Sequence, residues 1–280
     1  GAARNQVPRL FDLVRGHGVS VAITKTVQDL KQRASQASQP LVVAAGGDGT
    51  FALAAQTVDA DVPIVPMPLG TENLLARYFG HLVDADAVLG TLRHGECGRI
   101  DAGLANGRLF LLMASCGFDA EVVRGMHLTR GGHINRFSYA RPIVRALLRY
   151  RFPPINISID GDRTEVPPCC WCMVFNLPQY AASLAIEPSA VPDDGRLDLI
   201  GFQRGSVISG LRYAAGVAMR RHLKFGDVHR RPGVTFELTS PGRVPYQLDG
   251  DYAGRLPLKI ETVPGRVCLL LPPQPACLDR

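Results

Sequence analysis

A glycine-rich turn that contains one acid is the first candidate for chemistry in this chain. Its sequence is GGDGT over residues 46–50, with Asp48 as the acid. The apolar residues before it predict a short buried strand, and the apolar run after Thr50 predicts the start of a helix. Such a turn lets backbone N–H groups approach an anion, typically phosphate. Because a carboxylate repels phosphate unless a metal, an amine or a water intervenes, Asp48 indicates metal-assisted phosphoryl chemistry. A purely structural turn is the alternative.

Two further short motifs carry suitable groups. The sequence PLGTENLLAR follows a predicted strand, and in it Thr71 offers a hydroxyl and Asn73 an amide to a phosphate or a ribose. The alternative for Thr71 is the N-cap of a helix. The sequence QLDGD places Asp249 and Asp251 on either side of a glycine. Phosphoryl transfer to an alcohol needs a carboxylate that orients or accepts the hydroxyl proton, whereas the alternative is an ordinary β-hairpin turn.

Alternating strands and helices in the N-terminal part of the chain are expected to position the first two motifs. The apolar pattern predicts helices over residues 9–18, 27–37 and 51–57, and strands over residues 19–24, 41–45 and 63–68. This alternation favours an α/β domain with a parallel, Rossmann-like sheet and helices on both faces. Ligands bind beyond the carboxyl ends of the strands in such sheets. Thr24 and the turns that carry Asp48 and Thr71 are therefore expected to line one crevice.

From about residue 99 the pattern changes to short strands separated by glycine and proline. Strands are predicted over residues 155–159, 171–175, 197–202, 234–238, 246–248, 257–261 and 267–271, and a helix over residues 135–151. This pattern favours a mainly β, sandwich-like C-terminal domain. With a boundary near Gly95, the predicted domains are an α/β nucleotide-binding domain, residues 1–95, and a β-rich domain, residues 96–280.

Composition and charge restrict the class of protein. The 280 residues are 46% hydrophobic and 20% charged, as in folded soluble proteins. No apolar run reaches the ~20 residues of a membrane-spanning helix, and no signal peptide is predicted. The net charge of +6 favours an anionic partner, which by charge alone is a nucleotide, a nucleic acid or an acidic membrane surface. Seven cysteines without a framework spacing indicate reduced thiols in the cytosol.

Three of these cysteines and two basic stretches have alternative interpretations. Cys169, Cys170 and Cys172 could suggest a metal site, but they lie in a predicted buried strand and are expected to be small apolar residues. An arginine stripe in the predicted helix over residues 135–151, and the sequence RRHLK at residues 220–224, each fit docking on anionic lipid or a solvated surface.

Four motifs, taken in order, resemble those of one family. They are residues 46–50, residues 68–77, residues 176–198 with their PDDGRLD segment, and residues 247–251. They are similar to motifs of the diacylglycerol kinase catalytic-domain family, which includes bacterial lipid kinases and sphingosine kinases. The resemblance runs from about residue 19 to residue 272. The chain departs from the family pattern at Glu72, at Leu74, where Asp is usual, and at Asp251, where Glu is usual.

This resemblance implies an ATP-dependent lipid kinase that transfers the γ-phosphoryl group to a hydroxyl of diacylglycerol or a related lipid alcohol. The reaction would take place in the cleft between the nucleotide domain and a lipid-substrate domain. The nucleotide-binding residues implied are Thr24, Gly46, Gly47, Asp48, Gly49, Thr50, Gly70, Thr71 and Asn73.

The resemblance also implies a metal site and two catalytic acids. Asp194 and the backbone carbonyls of Val191 and Arg196 would hold a structural Mg²⁺, separate from the Mg²⁺ that travels with ATP. Asp249 would be the base for the lipid hydroxyl, and Asp251 would face the nucleotide or its water network. In some descriptions of the family, the second acid is the proton acceptor instead.

Two other functions stay open on the sequence. NAD kinases carry a similar glycine turn, but the Asn-Asp-Glu or Asn-Glu segment that such enzymes use on their dinucleotide substrate does not follow it here. A nucleotide- or lipid-binding regulator without turnover is compatible with Leu74 and Asp251. We expect a cytoplasmic protein without a nucleic-acid partner, and peripheral contact with the inner face of an anionic membrane is compatible with its charge. The sequence leaves the lipid substrate and the oligomeric state open.

Overall fold

The computed structural model describes residues 5–128, 150–164, 166–180 and 184–273, and the chain divides into two compact units. The first unit comprises Gly1–Ile100 together with Gly265–Arg280, and the second comprises Asp101–Pro264. The sequence predicts a single boundary near Gly95. The chain instead passes between the units twice, because its last strand ends in the first unit.

The first unit contains a parallel sheet flanked by helices. Its elements are α1 (Gln6–Gly16), α2 (Val27–Gln36), β1 (Val42–Gly46), α3 (Asp48–Thr57), β2 (Ile64–Pro68), α4 (Leu74–Tyr78) and α5 (Ala85–His94). Strands β1 and β2 pair in parallel, and the end of the last strand, β15 (Leu258–Leu271), pairs in parallel with β2. Val65 and Met67 of β2 share an apolar core with Leu10 of α1 and Val88 of α5. The alternation of strand and helix thus produces the layered arrangement that such sheets require.

Residues 19–24 were expected to form a strand, but they have no regular secondary structure. Val19 and Ile23 are 55% and 60% exposed. A strand needs a neighbour for its backbone hydrogen bonds, and within the described part of the chain β1 pairs with β2 alone. The predicted strand is therefore wrong, because alternating apolar residues do not form a strand without a partner.

The second unit is built mainly from short strands. Its elements are β3 (Glu96–Ala105, which begins in the first unit), β4 (Arg108–Phe110), β5 (Met113–Cys116), α6 (Phe118–Leu128), β6 (Asn156–Ile159), β7 (Trp171–Phe175), β8 (Gln179–Tyr180), β9 (Leu184–Ala185), β10 (Leu197–Phe202), α7 (Val207–Ala218), a 3-10 helix (His222–Lys224), β11 (Val228–Gly233), β12 (Thr235–Thr239), β13 (Pro245–Leu248), β14 (Asp251–Arg255) and the start of β15. Six strands form one sheet in the order β11-β10-β7-β5-β13-β14, and β12 pairs with both β6 and β15 outside that sheet.

One apolar core is shared by the two sets of strands in the second unit. Ile157 and Phe236 point into it from β6 and β12, and Val174, Leu199 and Leu248 point into it from the six-stranded sheet. Alternate residues that pack between two sheets are the arrangement of a β-sandwich. The strand pattern of the sequence therefore predicts this part of the fold correctly.

Two sequence predictions concern side chains of the second unit. Cys169 and Cys172 are fully buried in its core, where they pack as small apolar side chains. The helix predicted over residues 135–151 falls, apart from its last two residues, outside the described part of the chain. None of the helices that the structure describes is both long enough and apolar enough to cross a membrane.

Candidate active site

The turn over residues 46–50 connects β1 to α3. Helix α3 begins at Asp48, three residues earlier than predicted, with Gly47 as its N-cap. The N–H of Thr50 donates to the carbonyl of Gly47 over 2.9 Å. A Cβ atom on Gly46 would lie 2.2 Å from Oγ1 of Thr50, so the turn is closed too tightly for a side chain there. The beginning of α3 thus carries N–H groups at the carboxyl edge of the sheet, as an anion site requires.

A second turn, between β2 and α4, lies against the first. The N–H of Leu69 donates to the carbonyl of Gly46 over 2.9 Å. A Cβ atom on Gly70 would lie only 2.6 Å from Cα of Gly47. The side chain of Asn73 closes this second turn, because its Oδ1 accepts from the N–H of Gly70 over 2.9 Å and its Nδ2 donates to the carbonyl of Gly70 over 2.8 Å. The two glycine turns predicted from sequence therefore form one backbone surface.

The Asp48 side chain joins these two turns. Its Oδ2 accepts from the N–H of Leu74 over 2.9 Å, and its Oδ1 accepts from the N–H of Leu75 over 3.0 Å. Asp48 thus caps α4, whose own N-cap, Asn73, makes no capping bond. Thr71, for which an N-cap was the alternative, lies two residues before that position. Burial raises the pKa of Asp48, the two backbone hydrogen bonds oppose that rise, and the nearby charge of Glu72 adds to it.

Within the part of the chain that the structure describes, Thr24 is not linked by hydrogen bonds to the two glycine turns. It belongs to the irregular segment over residues 19–25. Among the described residues it forms no hydrogen bond with either glycine turn. The crevice that borders the turns is lined by residues that include Ala44, Phe51, Pro66 and Ala76. The role of Thr24 towards a nucleotide stays a prediction, whereas the two turns are adjacent as expected.

In the second unit, Asp249 and Gly250 form the turn of the hairpin between β13 and β14. Both residues have positive φ, 50° and 88°, as the tight hairpin turns that favour Asp-Gly require. The carboxylate of Asp249 accepts three backbone hydrogen bonds, from Leu111 and Leu112 over 2.8 Å each and from Met113 over 3.0 Å. The Asp249 N–H donates to the carbonyl of Met113 over 2.9 Å. Asp249 therefore anchors the hairpin to residues 111–113, the last of which begins β5.

Asp251 lies in a different environment at the other end of the same turn. It is the first residue of β14, pairs with Leu248 across the hairpin, and is exposed. The fold thus places the two acids of the motif in different environments. The carboxylate of Asp249 is committed to backbone N–H groups, and that of Asp251 is presented at the surface.

A polar network lies beneath this turn and was not predicted from sequence. Oε1 of Gln247 accepts from the N–H of Gly250 over 2.7 Å, and its Nε2 donates to Oγ of Ser115 over 3.0 Å. The Ser115 hydroxyl donates to Asp119, and the indole of Trp171 donates to the same carboxylate over 2.7 Å. Burial raises the pKa of Asp119, and its hydrogen bonds oppose the rise.

The sequence held a signal for this network. Helix α6 begins at Phe118, two residues after the last residue of β5. Asp119 is an acid in the first turn of this helix, three positions after the end of β5. Gln247 also precedes the acid motif by only two positions. The pairing of these residues depends on β5 and β13 being neighbours, which only the folded sheet shows.

The turn that contains Asp194 has the oxygen chemistry of a weak cation site. Oδ1 of Asp194 accepts from the N–H of Arg196 over 2.9 Å. The carboxylate of the buried Asp101 holds the same turn, because its Oδ2 accepts from the N–H of Gly195 over 2.7 Å. Burial raises the pKa of Asp198 to about 6, with further contributions from Glu187 and Asp194.

These observations fit a hard cation such as Mg²⁺. The site offers the exposed carboxylate of Asp194 on a turn that Asp101 holds in place. Oxygen donors with room for waters are what Mg²⁺ prefers. The described residues contain no group of three or more His, Cys, Asp or Glu side chains that could hold a metal. Any ion here would therefore depend on backbone carbonyls, as the predicted set of Val191, Asp194 and Arg196 does.

The comparisons with known proteins agree with these motifs. A diacylglycerol kinase of Mycobacterium tuberculosis is 30% identical over 238 residues, which cover 82% of this chain and 76% of the relative. The chain belongs to the diacylglycerol kinase family. The family profile described as the diacylglycerol kinase catalytic domain matches residues 1–105, and the YegS C-terminal NAD kinase beta sandwich-like domain matches residues 113–271. A probable lipid kinase YegS-like of Shewanella frigidimarina is 25% identical, with 94% of this chain and 88% of the relative covered.

Solved structures support the same fold. A diacylglycerol kinase structure from Bacillus anthracis superposes with a TM-score of 0.62 at 18% identity, covering 89% of this chain and 84% of that one. An NAD kinase from Archaeoglobus fulgidus, solved in complex with ATP, superposes with a TM-score of 0.53 at 15% identity, covering 95% and 89%. The predicted α/β N-terminal domain and β-sandwich-like C-terminal domain are confirmed, as is membership of a family of lipid kinases, which are enzymes. As a diacylglycerol kinase family member, the chain is expected to use ATP as its phosphate donor.

Proposed function

We propose that this chain transfers the γ-phosphoryl group of ATP to a hydroxyl of diacylglycerol or a related lipid alcohol. The observation that carries the proposal is the hairpin of β13 and β14, which presents the exposed Asp251 on a turn anchored by the carboxylate of Asp249. Family membership supplies the reaction class. The chemistry needs one acid that receives a proton and a rigid backbone that positions it.

The two glycine turns are proposed to bind the phosphates of ATP. The residues proposed are those named from the sequence, with Gly46, Gly47 and Gly70 making close backbone approach possible. The N–H groups at the start of α3 would donate to phosphate oxygens. Mg²⁺ bound with ATP would neutralise part of the phosphate charge. Asp48 would act mainly by holding the two turns together through Leu74 and Leu75, in addition to the predicted contact through Mg²⁺ or water.

Asp251 is the proton acceptor that the contacts favour. Both carboxylate oxygens of Asp249 already accept backbone N–H groups, three in all, which leaves them less able to receive a substrate hydroxyl. Asp251 is exposed and one residue beyond the turn. The sequence interpretation, in which Asp249 is the base, is thus the less favoured assignment. The interdomain cleft predicted from sequence stays a prediction.

The direct test is incubation of the purified protein with labelled ATP, Mg²⁺ and a panel of lipid alcohols. Labelled phospholipid is the expected product, and diacylglycerol is the expected acceptor. The panel should include ceramide, a sphingoid base and NAD. Phosphorylated NAD would indicate an NAD kinase, and binding of nucleotide or lipid without any product would indicate a regulator. One feature favours the regulator as a second candidate function: the apolar Leu74 stands where the family usually has Asp.

Gln247 is proposed as a positioning residue for the acid turn. The Gln247→Leu change removes the acceptor for the N–H of Gly250, and a displacement of about 1 Å can cost on the order of 10²-fold in rate. We expect kcat to fall by about 10- to 100-fold with little change in the KM for ATP. The matched control is Gln203→Leu, because Gln203 is exposed and outside the network. Equal loss in both variants, or a change confined to the KM for ATP, would contradict this role.

The proposed Mg²⁺ site at Asp194 predicts a stability effect that is independent of turnover. A ligand that binds only the folded state at about 100 times its Kd raises the free energy of unfolding by about 2.7 kcal/mol. We expect Mg²⁺ to raise the thermal unfolding midpoint of the parent and not that of Asp194→Ala. Asp193→Ala is the matched control, because Asp193 is the exposed neighbour outside the predicted ligand set. Equal responses of the parent and Asp194→Ala would rule out the site.

A further inference from the structure

Helix α7 of the second unit presents an apolar stripe to solvent. Ile208, Leu211 and Met219 are 80%, 59% and 59% exposed, and Ala215 is also exposed. These positions are separated by three, four and four residues, so they lie along one face of the helix and its C-cap. Tyr213 lies on the opposite face and is buried.

The orientation of α7 is fixed by that opposite face. The hydroxyl of Tyr213 donates to Asp227 over 2.9 Å and accepts from the N–H of Arg204 over 3.1 Å. A Cβ atom on Gly216 would lie 2.6 Å from the ring of Phe225, so the helix packs closely at that point. The apolar stripe therefore stays on the outside of the unit, where its exposure has a cost in free energy.

The chain segment that carries this stripe has charged residues of one sign only. Residues 199–226 contain no Asp or Glu and five basic residues, which are Arg204, Arg212, Arg220, Arg221 and Lys224. The first two form ion pairs with Asp227. The other three are exposed and form no ion pair with any residue that the structure describes. An apolar stripe is thus bordered at its C-terminal end by three uncompensated positive charges.

We propose that this surface docks on a bilayer that contains anionic phospholipid. We call it the α7 surface and define it by Ile208, Leu211, Ala215, Met219, Arg220, Arg221 and Lys224. Apolar side chains bordered by Lys and Arg are the pattern of segments that lie in the interface of anionic membranes. A second copy of the chain fits less well, because a two-fold interface here would bring like charges together.

The α7 surface adjoins elements that support the acid turn. Helix α7 contacts β9, which carries Leu184, 41% exposed, and pairs with β8. In β8, the hydroxyl of Tyr180 lies 3.5 Å from Oδ2 of Asp119 and 3.5 Å from Nε2 of Gln247. Docking would thus hold the neighbourhood of the Asp251 hairpin near the lipid. Only this link to catalysis rests on the proposed function, because the docking surface itself does not require turnover.

The test is co-sedimentation of the full chain with vesicles made of equal amounts of phosphatidylcholine and phosphatidylglycerol. We expect the parent to bind, and the double variant Ile208→Ser/Leu211→Ser to bind on the order of 10- to 100-fold more weakly. The triple variant Arg220→Ala/Arg221→Ala/Lys224→Ala should bind on the order of 10²-fold more weakly at low salt. Binding of the parent should fall with added salt and be weak on phosphatidylcholine alone.

Leu82→Ser provides the matched control. Leu82 is an apolar residue that is exposed, by 63%, as the apolar residues of the α7 surface are. It belongs to the first unit and is distant in sequence from that surface. We expect this variant to bind vesicles as the parent does, and thermal unfolding should confirm that every variant is folded. Parent-like binding by both α7 variants would overturn the proposal. Loss of a dimer in light scattering, without loss of vesicle binding, would overturn it in favour of an interface between copies.

An activity measurement separates this proposal from the proposed function. With a short-chain, water-soluble diacylglycerol, the α7 variants should keep the activity of the parent, and with long-chain diacylglycerol in the same vesicles they should lose it. If the parent binds vesicles through the α7 surface but phosphorylates no lipid, the kinase proposal fails and the docking proposal stands. If it phosphorylates the soluble lipid and the variants bind and act on vesicles normally, the docking proposal fails alone.

Discussion

Replacing Asp251 by Asn is expected to lower kcat for lipid phosphorylation by about 10²–10⁴-fold, the usual contribution of a general base. Asn has nearly the size of Asp but cannot accept the proton of the lipid hydroxyl. Asp251 is exposed at the start of β14, so the substitution should leave the thermal unfolding midpoint almost unchanged. Steady-state kinetics with labelled ATP and diacylglycerol would measure the loss, and the KM for ATP should change little.

Asp249→Asn should be measured beside Asp251→Asn, because the two substitutions are expected to differ in their effect on stability. The new amide NH₂ would meet at least one of the backbone N–H groups of Leu111, Leu112 and Met113 that now donate to the carboxylate. A buried N–H left without an acceptor costs about 1–3 kcal/mol. We therefore expect Asp249→Asn to lower the unfolding midpoint clearly, unlike Asp251→Asn.

The reverse pattern would restore the assignment made from the sequence. If Asp249→Asn is as stable as the parent and loses 10²–10⁴-fold in kcat, Asp249 is the base. If Asp251→Asn raises only the KM for ATP, Asp251 faces the nucleotide. Measuring stability and kinetics on the same two preparations separates an anchoring carboxylate from a catalytic one.

The second large effect is expected for Asp48→Ala, which should reduce kcat/KM for ATP by more than about 10²-fold. The change removes the acceptor for the N–H groups of Leu74 and Leu75 and so breaks the side-chain link between the first glycine turn and the start of α4. It also removes the carboxylate that the sequence predicts to act through Mg²⁺ or water. Loss of a helix cap costs about 1 kcal/mol, so the protein should remain folded.

Asp84→Ala is a close control for this variant. Asp84 caps α5 in the same unit, where its Oδ1 accepts from the N–H groups of Asp86 and Ala87 over 3.1 and 3.0 Å. Both substitutions delete a capping carboxylate, so similar losses of thermal stability are expected. Only Asp48→Ala should lose turnover. If both variants retained activity, Asp48 would serve only as a helix cap, and the first glycine turn would not need its carboxylate for turnover.

Several parts of the fold and site could be predicted because their causes are local. Glycine at residues 46 and 70 fits turns that leave no room for a Cβ atom, and short apolar runs predict β1, β2 and the strands of the sandwich. The Asp-Gly pair of the hairpin requires positive φ at both residues, which the dipeptide itself indicates. The same local reasoning failed at residues 19–24, because a strand also needs a neighbour.

The sequence by itself determined the two glycine turns, the acid hairpin and the family, since each depends on residues close together in the chain. Tertiary structure alone decided which groups the acids contact. Asp48 meets its backbone partner 26 positions away at Leu74, and Asp249 meets its partner 138 positions away at Leu111. A hydrogen bond forms only where folding places a donor beside an acceptor, and residue type does not specify that placement. Two acids of the same type two residues apart, Asp249 and Asp251, therefore became an anchor and an exposed carboxylate.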